Sequence, residues 1–288
     1  MCRLINTHRF RREIIMTDQE LNKLHEVLIM ITEEIKRVCD LNGICYSLTG
    51  GSMIGAIRHK GFIPWDDDMD VAMLRSEYDK FVEACKVQLK PQFEIQTMEN
   101  DENYFYGFAK IILKDTYLVQ RTHENTQQKK GIYVDVFPLD NVPESESARK
   151  RQKHLNYLLI KMLSRKAKVD IEDKKSIKKQ IGFHLLDCFN LFFSMHSLRY
   201  KLVNNMTKYN DQKTEYVCNM GGYYGYDRET APREYFENTS LMKFNNAEFS
   251  VIREYDAYLT HVYGDYMKLP PEEKRHTHEF EKLDFGPY

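Results

Sequence analysis

The chain has 288 residues, 42% of them hydrophobic and 12% aromatic, enough apolar surface for a sizeable core, which excludes a disordered chain or a fibre. Lys and Arg number 42 against 43 Asp and Glu, so a formal charge of −1 supplies no overall field to select a polyanion, and no nucleic-acid partner is expected. The six cysteines, Cys2, Cys39, Cys45, Cys85, Cys188 and Cys218, contain no CxxC pair, which excludes a small disulfide scaffold or a zinc ribbon and fits a reducing cytoplasm.

The N-terminal stretch MCRLINTHRFRREIIMTDQE is basic but lacks the apolar run of a secretory signal, so nothing in it predicts export, and Met16 offers an alternative start. Leu21, Leu24, Leu28, Ile31, Ile35 and Val38 recur at spacings of three and four behind the capping pair Thr17 and Glu20. An amphipathic helix is predicted over 18–41, stopped by Asn42-Gly43. ICYSLTGG then reads as a short strand ending in two glycines, and SMIGAIRHK as a short helix stopped by Gly61. After Pro64 an extended run, DDDMDVAML, leads into helical spacing from Ser76 to Leu89. The β-branched and aromatic runs PQFEIQTM, YFYGFAKIIL, TYLVQRT and GIYVDVFPL predict further strands.

From Ser145 the pattern turns helical. Leu155, Leu158, Leu159, Met162 and Leu163 mark one helix, and Ile181 to Leu198, broken by His184, Asp187, Asn190 and His196, reads as a buried helix rather than a membrane span. Between Arg149 and Lys179 there are 12 Lys or Arg against three acids. That stretch is a solvated face, or it steers a polyanionic or lipid-linked acceptor at the inner membrane surface. The division predicted is a mixed-sheet core over 18–143 and a mostly helical region over 144–288.

The acidic run carries the sharpest chemistry. In an extended WDDDMDVAM, Asp66, Asp68 and Asp70 share one face while Asp67 and Met69 take the other. Three carboxylates on one face repel unless a hard divalent cation such as Mg²⁺ or Mn²⁺ neutralises them; otherwise the run is a solvated loop. Gly50, Gly51 and Ser52 precede it at a strand-to-helix turn, a place where a phosphate can approach the backbone, or simply a turn. Asp135 lies inside an apolar strand, where a carboxylate must be paired or metal-bound, unless it faces solvent with Tyr133.

The stretch GGSMIGAIRHKGFIPWDDDMDVAM, with GIYVDVFPLD and, near the end, YGDYMKLPPEEKR, closely resembles the LicD family of phosphocholine transferases, relatives of the fukutin-related proteins. The resemblance implies an α+β, nucleotidyltransferase-like fold. It implies metal-dependent transfer of phosphocholine from CDP-choline to a hydroxyl of a cell-surface glycan, lipopolysaccharide, or teichoic or capsular polysaccharide precursor. Asp68 and Asp70 then occupy the metal-binding acid pair and Asp135 the third carboxylate, as ligand or as base for the acceptor hydroxyl, with Asp66 a further ligand. Gly50, Gly51 and Ser52 belong to the donor side, and Arg58, His59 and Lys110 are candidate donors to its phosphate oxygens.

A choline head group calls for aromatic faces, for which Trp65 and the runs 104–108 and 222–226 are available. His276 and His278 in RHTHEF are two histidines without a third ligand, so zinc is not expected, though they can line the site. Other CDP-linked donors, such as CDP-ribitol or CDP-glycerol, and nucleotidyl transfer use the same chemistry. A non-catalytic glycan-binding module has no reason to gather these aspartates.

Overall fold

The computed structural model describes residues 16–170 and 177–288. The readings of the basic N-terminal segment and of Cys2 lie outside the described residues, as does part of the basic stretch, 171–176. Helix α1 (Asp18–Asn42) begins on the predicted capping box. Thr17 Oγ accepts from the Glu20 N–H at 3.2 Å, and the Glu20 carboxylate accepts from the Thr17 N–H at 2.8 Å. It ends on Gly43 in the left-handed region, at φ 62°.

The chain continues through β1 (Ser47–Leu48), α2 (Gly50–Ile54), β2 (Asp70–Leu74), α3 (Arg75–Gln88), β3 (Phe93–Gln96), β4 (Ala109–Leu113), β5 (Tyr117–Gln120) and β6 (Ile132–Asn141). The main sheet runs β1-β2-β6-β4-β3; β2 and β6 are parallel and the other neighbours antiparallel. Helices α1 and α3 pack on it, and of the predicted stripe Leu24, Leu28, Ile31, Ile35 and Val38 are fully buried while Leu21 is partly buried. The parallel pair is fastened at its far end. Arg75, the first residue of α3, makes a two-pronged ion pair with the fully buried Asp140 of β6, both bonds 2.7 Å long.

The C-terminal part is largely helical: α4 (Glu146–Lys166), α5 (Ile177–Asn190), α6 (Met195–Thr207), then, past two short strands, α7 (Arg233–Glu237) and α8 (Tyr255–Tyr263). Helices α4 and α6 enclose a second apolar cluster of Leu159, Met162, Leu163, Leu198, Leu202 and Met206. The short strands are β7 (Tyr216–Cys218), which pairs with the end of β6, and β8 (Thr230–Pro232), which pairs with β7. β9 (Thr239–Phe244) and β10 (Ala247–Ile252) form a hairpin against β1, and β11 (Phe280–Asp284) returns to pair with β5. This is the α+β architecture expected.

Two local expectations are corrected. The strand read from Asp66 onward begins only at Asp70, because 65–69 form an irregular approach to it. The helix read through 181–198 breaks at Asn190, and Leu191 and Phe192 stand 81% and 84% exposed rather than buried. No helix among the described residues is long and apolar enough to cross a membrane. The five described cysteines are free thiols.

Candidate metal centre and active site

Strand register assembles the first part of the site. Asp70 on β2 is opposite Asp135 on β6, and Asp135 is opposite Lys110 on β4, so three ionisable side chains form one row across three strands. Lys110, buried at 5% exposure, holds its Nζ 3.2 Å from Asp135 Oδ1 and 3.2 Å from the centroid of the Tyr133 ring. Tyr133 is thus the cover of Lys110, and the Asp135 side chain is only 17% exposed, which removes the reading in which both face open solvent.

The glycine turn closes on this row. A Cβ on Gly50 would stand 2.8 Å from Asp70 Oδ2, and one on Gly51 2.6 Å from Asp66 Oδ2. Gly50 also adopts φ 60°, where a side chain is strained. Ser52 Oγ accepts from the Asp70 N–H at 2.9 Å, and the Thr49 N–H donates to the Asp70 carbonyl at 3.0 Å. The glycines are therefore required by two carboxylates lying against the backbone, whatever else approaches them. His25 of α1, stacked on Phe62, fixes the acidic run from behind through its Nε2, 2.7 Å from the Asp66 carbonyl.

The irregular backbone at 65–69 breaks the alternation expected for a strand, and Asp67 joins the cluster. Its carboxylate is buried and faces the tail: the His278 backbone N–H donates to Oδ2 at 2.5 Å, and His278 Nδ1 lies 2.6 Å from Oδ1. Pairing of β11 with β5 delivers His278 there, helped by the Arg121 N–H donating to the Glu279 carbonyl. Asp67, Asp68 and His278 bring one ligand atom each within 4.8 Å of one another, a geometry able to hold a metal ion. Of the four carboxylates expected as ligands, this group includes Asp68; Asp66, Asp70 and Asp135 stand around it. Sequence reasoning set Asp67 aside. For His278 the only signal was the RHTHEF tail.

The electrostatics suit a site built for a cation. Burial, followed by the neighbouring carboxylates, raises Asp66 and Asp70 well above the usual range and pushes Asp68 up to about 6. Asp135 is raised by burial, against the pull of Lys110, and Lys110 is lowered by burial. Asp66 Oδ2 is buried with no hydrogen-bond partner. An orphaned carboxylate oxygen, two further acids and an imidazole form a donor set that fits a divalent cation.

The remaining candidates lie around this centre. Arg58 and His59 sit in the π-type turn Gly55–His59 that continues α2. Arg58 donates to the Tyr266 carbonyl at 2.5 Å and to His59 Nε2 at 2.9 Å, so the YGDYMKL segment of the tail holds its guanidinium. Burial and the Arg58 charge lower His59. Trp65 is half-buried beneath the Arg275 guanidinium, 5.3 Å from its ring centroid. Tyr104, Phe105 and Phe108 are core residues, whereas Tyr223 is 94% exposed.

Residues 43–161 match the family model described as LicD/FKTN/FKRP, nucleotidyltransferase domain. Over 279 residues, 94% of this chain and 98% of the relative, the sequence is 31% identical to the lipopolysaccharide cholinephosphotransferase LicD of Haemophilus influenzae. The chain belongs to the LicD family. An uncharacterised protein of Rickettsia prowazekii is 27% identical over 117 residues, 41% of this chain and 40% of that protein. Membership of the LicD family, together with the candidate metal cluster, makes the chain an enzyme of the phosphotransferase and nucleotidyltransferase type. The glycine turn, the aspartates and Lys110 all lie within the LicD match at 43–161, whereas His278 lies beyond it.

Proposed function

We propose that the chain transfers phosphocholine from CDP-choline to a hydroxyl of a cell-surface glycan or of a teichoic or capsular polysaccharide precursor. The observation that carries the reading is the near full-length similarity to a cholinephosphotransferase, joined to a partly buried acid cluster with an orphaned oxygen. A divalent cation, Mg²⁺ or Mn²⁺, would be held by Asp68 with Asp67, His278 and the flanking Asp66, Asp70 and Asp135, and supplies charge neutralisation to the donor diphosphate. Gly50, Gly51, Ser52, Arg58, His59 and Lys110 form the donor side, with Arg58 meeting phosphate oxygens and Lys110, held against Asp135 beneath Tyr133, lending its charge from behind. The acceptor oxygen forms the new P–O bond, the bond to CMP breaks, and Asp135 takes the hydroxyl proton or completes the metal site.

In this reading residues 18–143 form the catalytic core, to which the tail adds His278, and the helical part of 144–288 forms the acceptor side, working at the cytoplasmic face of the membrane with peripheral contact to it. The test is thermal stability of the purified protein with CDP-choline, CDP-ribitol or CDP-glycerol, each with Mg²⁺ or EDTA, followed by CMP release. A ligand at a hundred times its dissociation constant stabilises by about 2.7 kcal/mol. A magnesium-dependent shift confined to CDP-choline supports the reading. A shift confined to another CDP conjugate replaces the head group, and no shift with any of them overturns the donor class.

A further inference from the structure

The stretch from α4 to α6 carries both large exposed apolar residues and a high density of Lys and Arg. Leu191 and Phe192, in the turn between α5 and α6, are the most exposed of those between the start of α4 and the end of α6; Phe189 precedes the turn, and Leu155 and Leu158 on α4 and Tyr200 on α6 are also exposed. Helices α4 and α6 lie side by side, joined by reciprocal bonds of 3.0 Å from Gln152 to the Asn205 carbonyl and from Asn205 to the Gln152 carbonyl. The groove between them is lined by Arg151, Leu155, Tyr200, Lys201 and Lys208. Leu155 and Tyr200 share this groove, and apolar groups of this size left in water mark a surface that something covers.

Charge says what covers it. Residues 147–169 and 188–210 contain eleven Lys or Arg and no Asp or Glu. Among the described residues, flanking acids pair with some of these cations, Glu146 at the start of α4 with Lys150 and Asp187 of α5 with Arg165, and Asp227 pairs with Lys153 from farther along the chain. A second copy of the chain would set this basic face against itself. An anionic polymer would satisfy the cations but has no use for Leu191 and Phe192. An anionic bilayer satisfies both, taking the apolar side chains at the boundary of the acyl region, tyrosine at the interface and the cations among its headgroups.

We propose that α4, the turn at 191–194 and the outer face of α6 dock on an anionic lipid surface, with Leu191 and Phe192 inserted beneath the headgroups. This deepens the peripheral membrane contact included in the proposed function and rests on it, but it does not depend on which CDP conjugate is the donor. It assigns the insertion to a turn that sequence periodicity places inside a buried helix.

The experiment is co-sedimentation of the full chain with vesicles of phosphatidylcholine alone or mixed with phosphatidylglycerol, at low and high salt. Binding is expected on the mixed vesicles, weakened by salt because the headgroup attraction falls off within a Debye length. Leu191→Ser with Phe192→Ser is expected to weaken it by about tenfold or more, with the melting temperature and CMP release on a soluble acceptor unchanged. Arg151→Glu with Lys201→Glu is expected to weaken it by about tenfold and to flatten the salt dependence. Absence of binding to either vesicle overturns the peripheral contact altogether. Binding that the Leu191 and Phe192 substitutions leave intact overturns only the docking face. A dimer in sedimentation equilibrium that the same substitutions dissociate assigns the face to a second copy and overturns the lipid reading.

Discussion

His278 clasps Asp67 through both its backbone and its side chain: the N–H meets one carboxylate oxygen at 2.5 Å, and Nδ1 lies 2.6 Å from the other. The two residues are 211 positions apart. This one contact therefore closes the end of the chain over the acidic run near its beginning, and it places an imidazole beside the carboxylates best arranged for a cation.

The contact has a pH signature in the metal-free protein. Asp67 raises His278 to about 9, so the folded state holds this proton more tightly than the unfolded chain does. Its stabilisation is complete below the ordinary histidine range and is lost as pH rises through about 9. The His278 side chain is 54% exposed, and solvent screening limits the pair to about 1 kcal/mol. Urea unfolding with EDTA at pH 6 and pH 10 should show the wild type ahead of His278→Ala by about that amount at the lower pH and level with it at the higher. A difference that persists at pH 10 would assign the effect to packing instead. With Mn²⁺ present, His278→Ala should lower metal affinity by about tenfold or more, read by calorimetry.

Asp68 carries the opposite liability. Its carboxyl is pushed up to about 6, so the metal-free fold loses stability as pH rises from the ordinary carboxylate range through that value. Asp68→Asn should abolish CMP release and yet stabilise the metal-free protein at pH 8 by about 2 kcal/mol. Metal must displace the same protons. The stabilisation that Mg²⁺ gives the wild type should grow from pH 5 to pH 8, and EDTA should erase it. Full turnover in both Asp68→Asn and Asp70→Asn would remove the metal from the mechanism.

Much of this site was legible because its parts are close in sequence. Gly50 and Gly51 stand just ahead of the acidic run, and a strand-to-helix turn needs only local patterns to be recognised. Asp135 announced itself by polarity within an apolar strand. The rest depended on tertiary geometry. Alternation misplaced Asp67 because it assumes a strand where the backbone at 66–69 is irregular. The Arg75–Asp140 pair had no local signature, and neither did the return of β11 to β5. At 181–198, apolar composition alone did not show that a turn lifts Leu191 and Phe192 into solvent.

The two glycines can be tested against a third. Gly51→Ala places its Cβ 2.6 Å from Asp66 Oδ2, and either the carboxylate or the helix start must move. We expect at least about a hundredfold loss of CMP release, since displacement of a reacting constellation by about 1 Å is costly on that scale, together with loss of Mg²⁺-dependent stabilisation. Gly43 shares the positive φ of Gly50, at 62°, a strain that Gly51 does not carry, but a Cβ there meets no atom within 4 Å. Gly43→Ala should cost about 1 kcal/mol of stability and leave turnover unchanged. Equal activity in both variants would show that the carboxylates do not depend on the glycine turn.

The Arg75–Asp140 pair holds the register on which the Asp70–Asp135 row depends, since it ties the ends of the two parallel strands. Asp140 also accepts from Asn210 at 2.7 Å, linking the sheet to the segment after α6. With the Asp140 side chain fully buried and that of Arg75 13% exposed, Asp140→Ala leaves an enclosed guanidinium with only the exposed Asp79, 3.7 Å away, as an acidic partner. Such losses cost about 3–5 kcal/mol, which denaturant melts would detect directly. Replacing both residues, Arg75→Met with Asp140→Leu, removes the stranded charge and should recover most of that stability. If the double variant is stable but releases CMP slowly, the pair positions the active-site row as well as stabilising the fold. If its turnover matches the wild type, backbone pairing between β2 and β6 maintains the register without it.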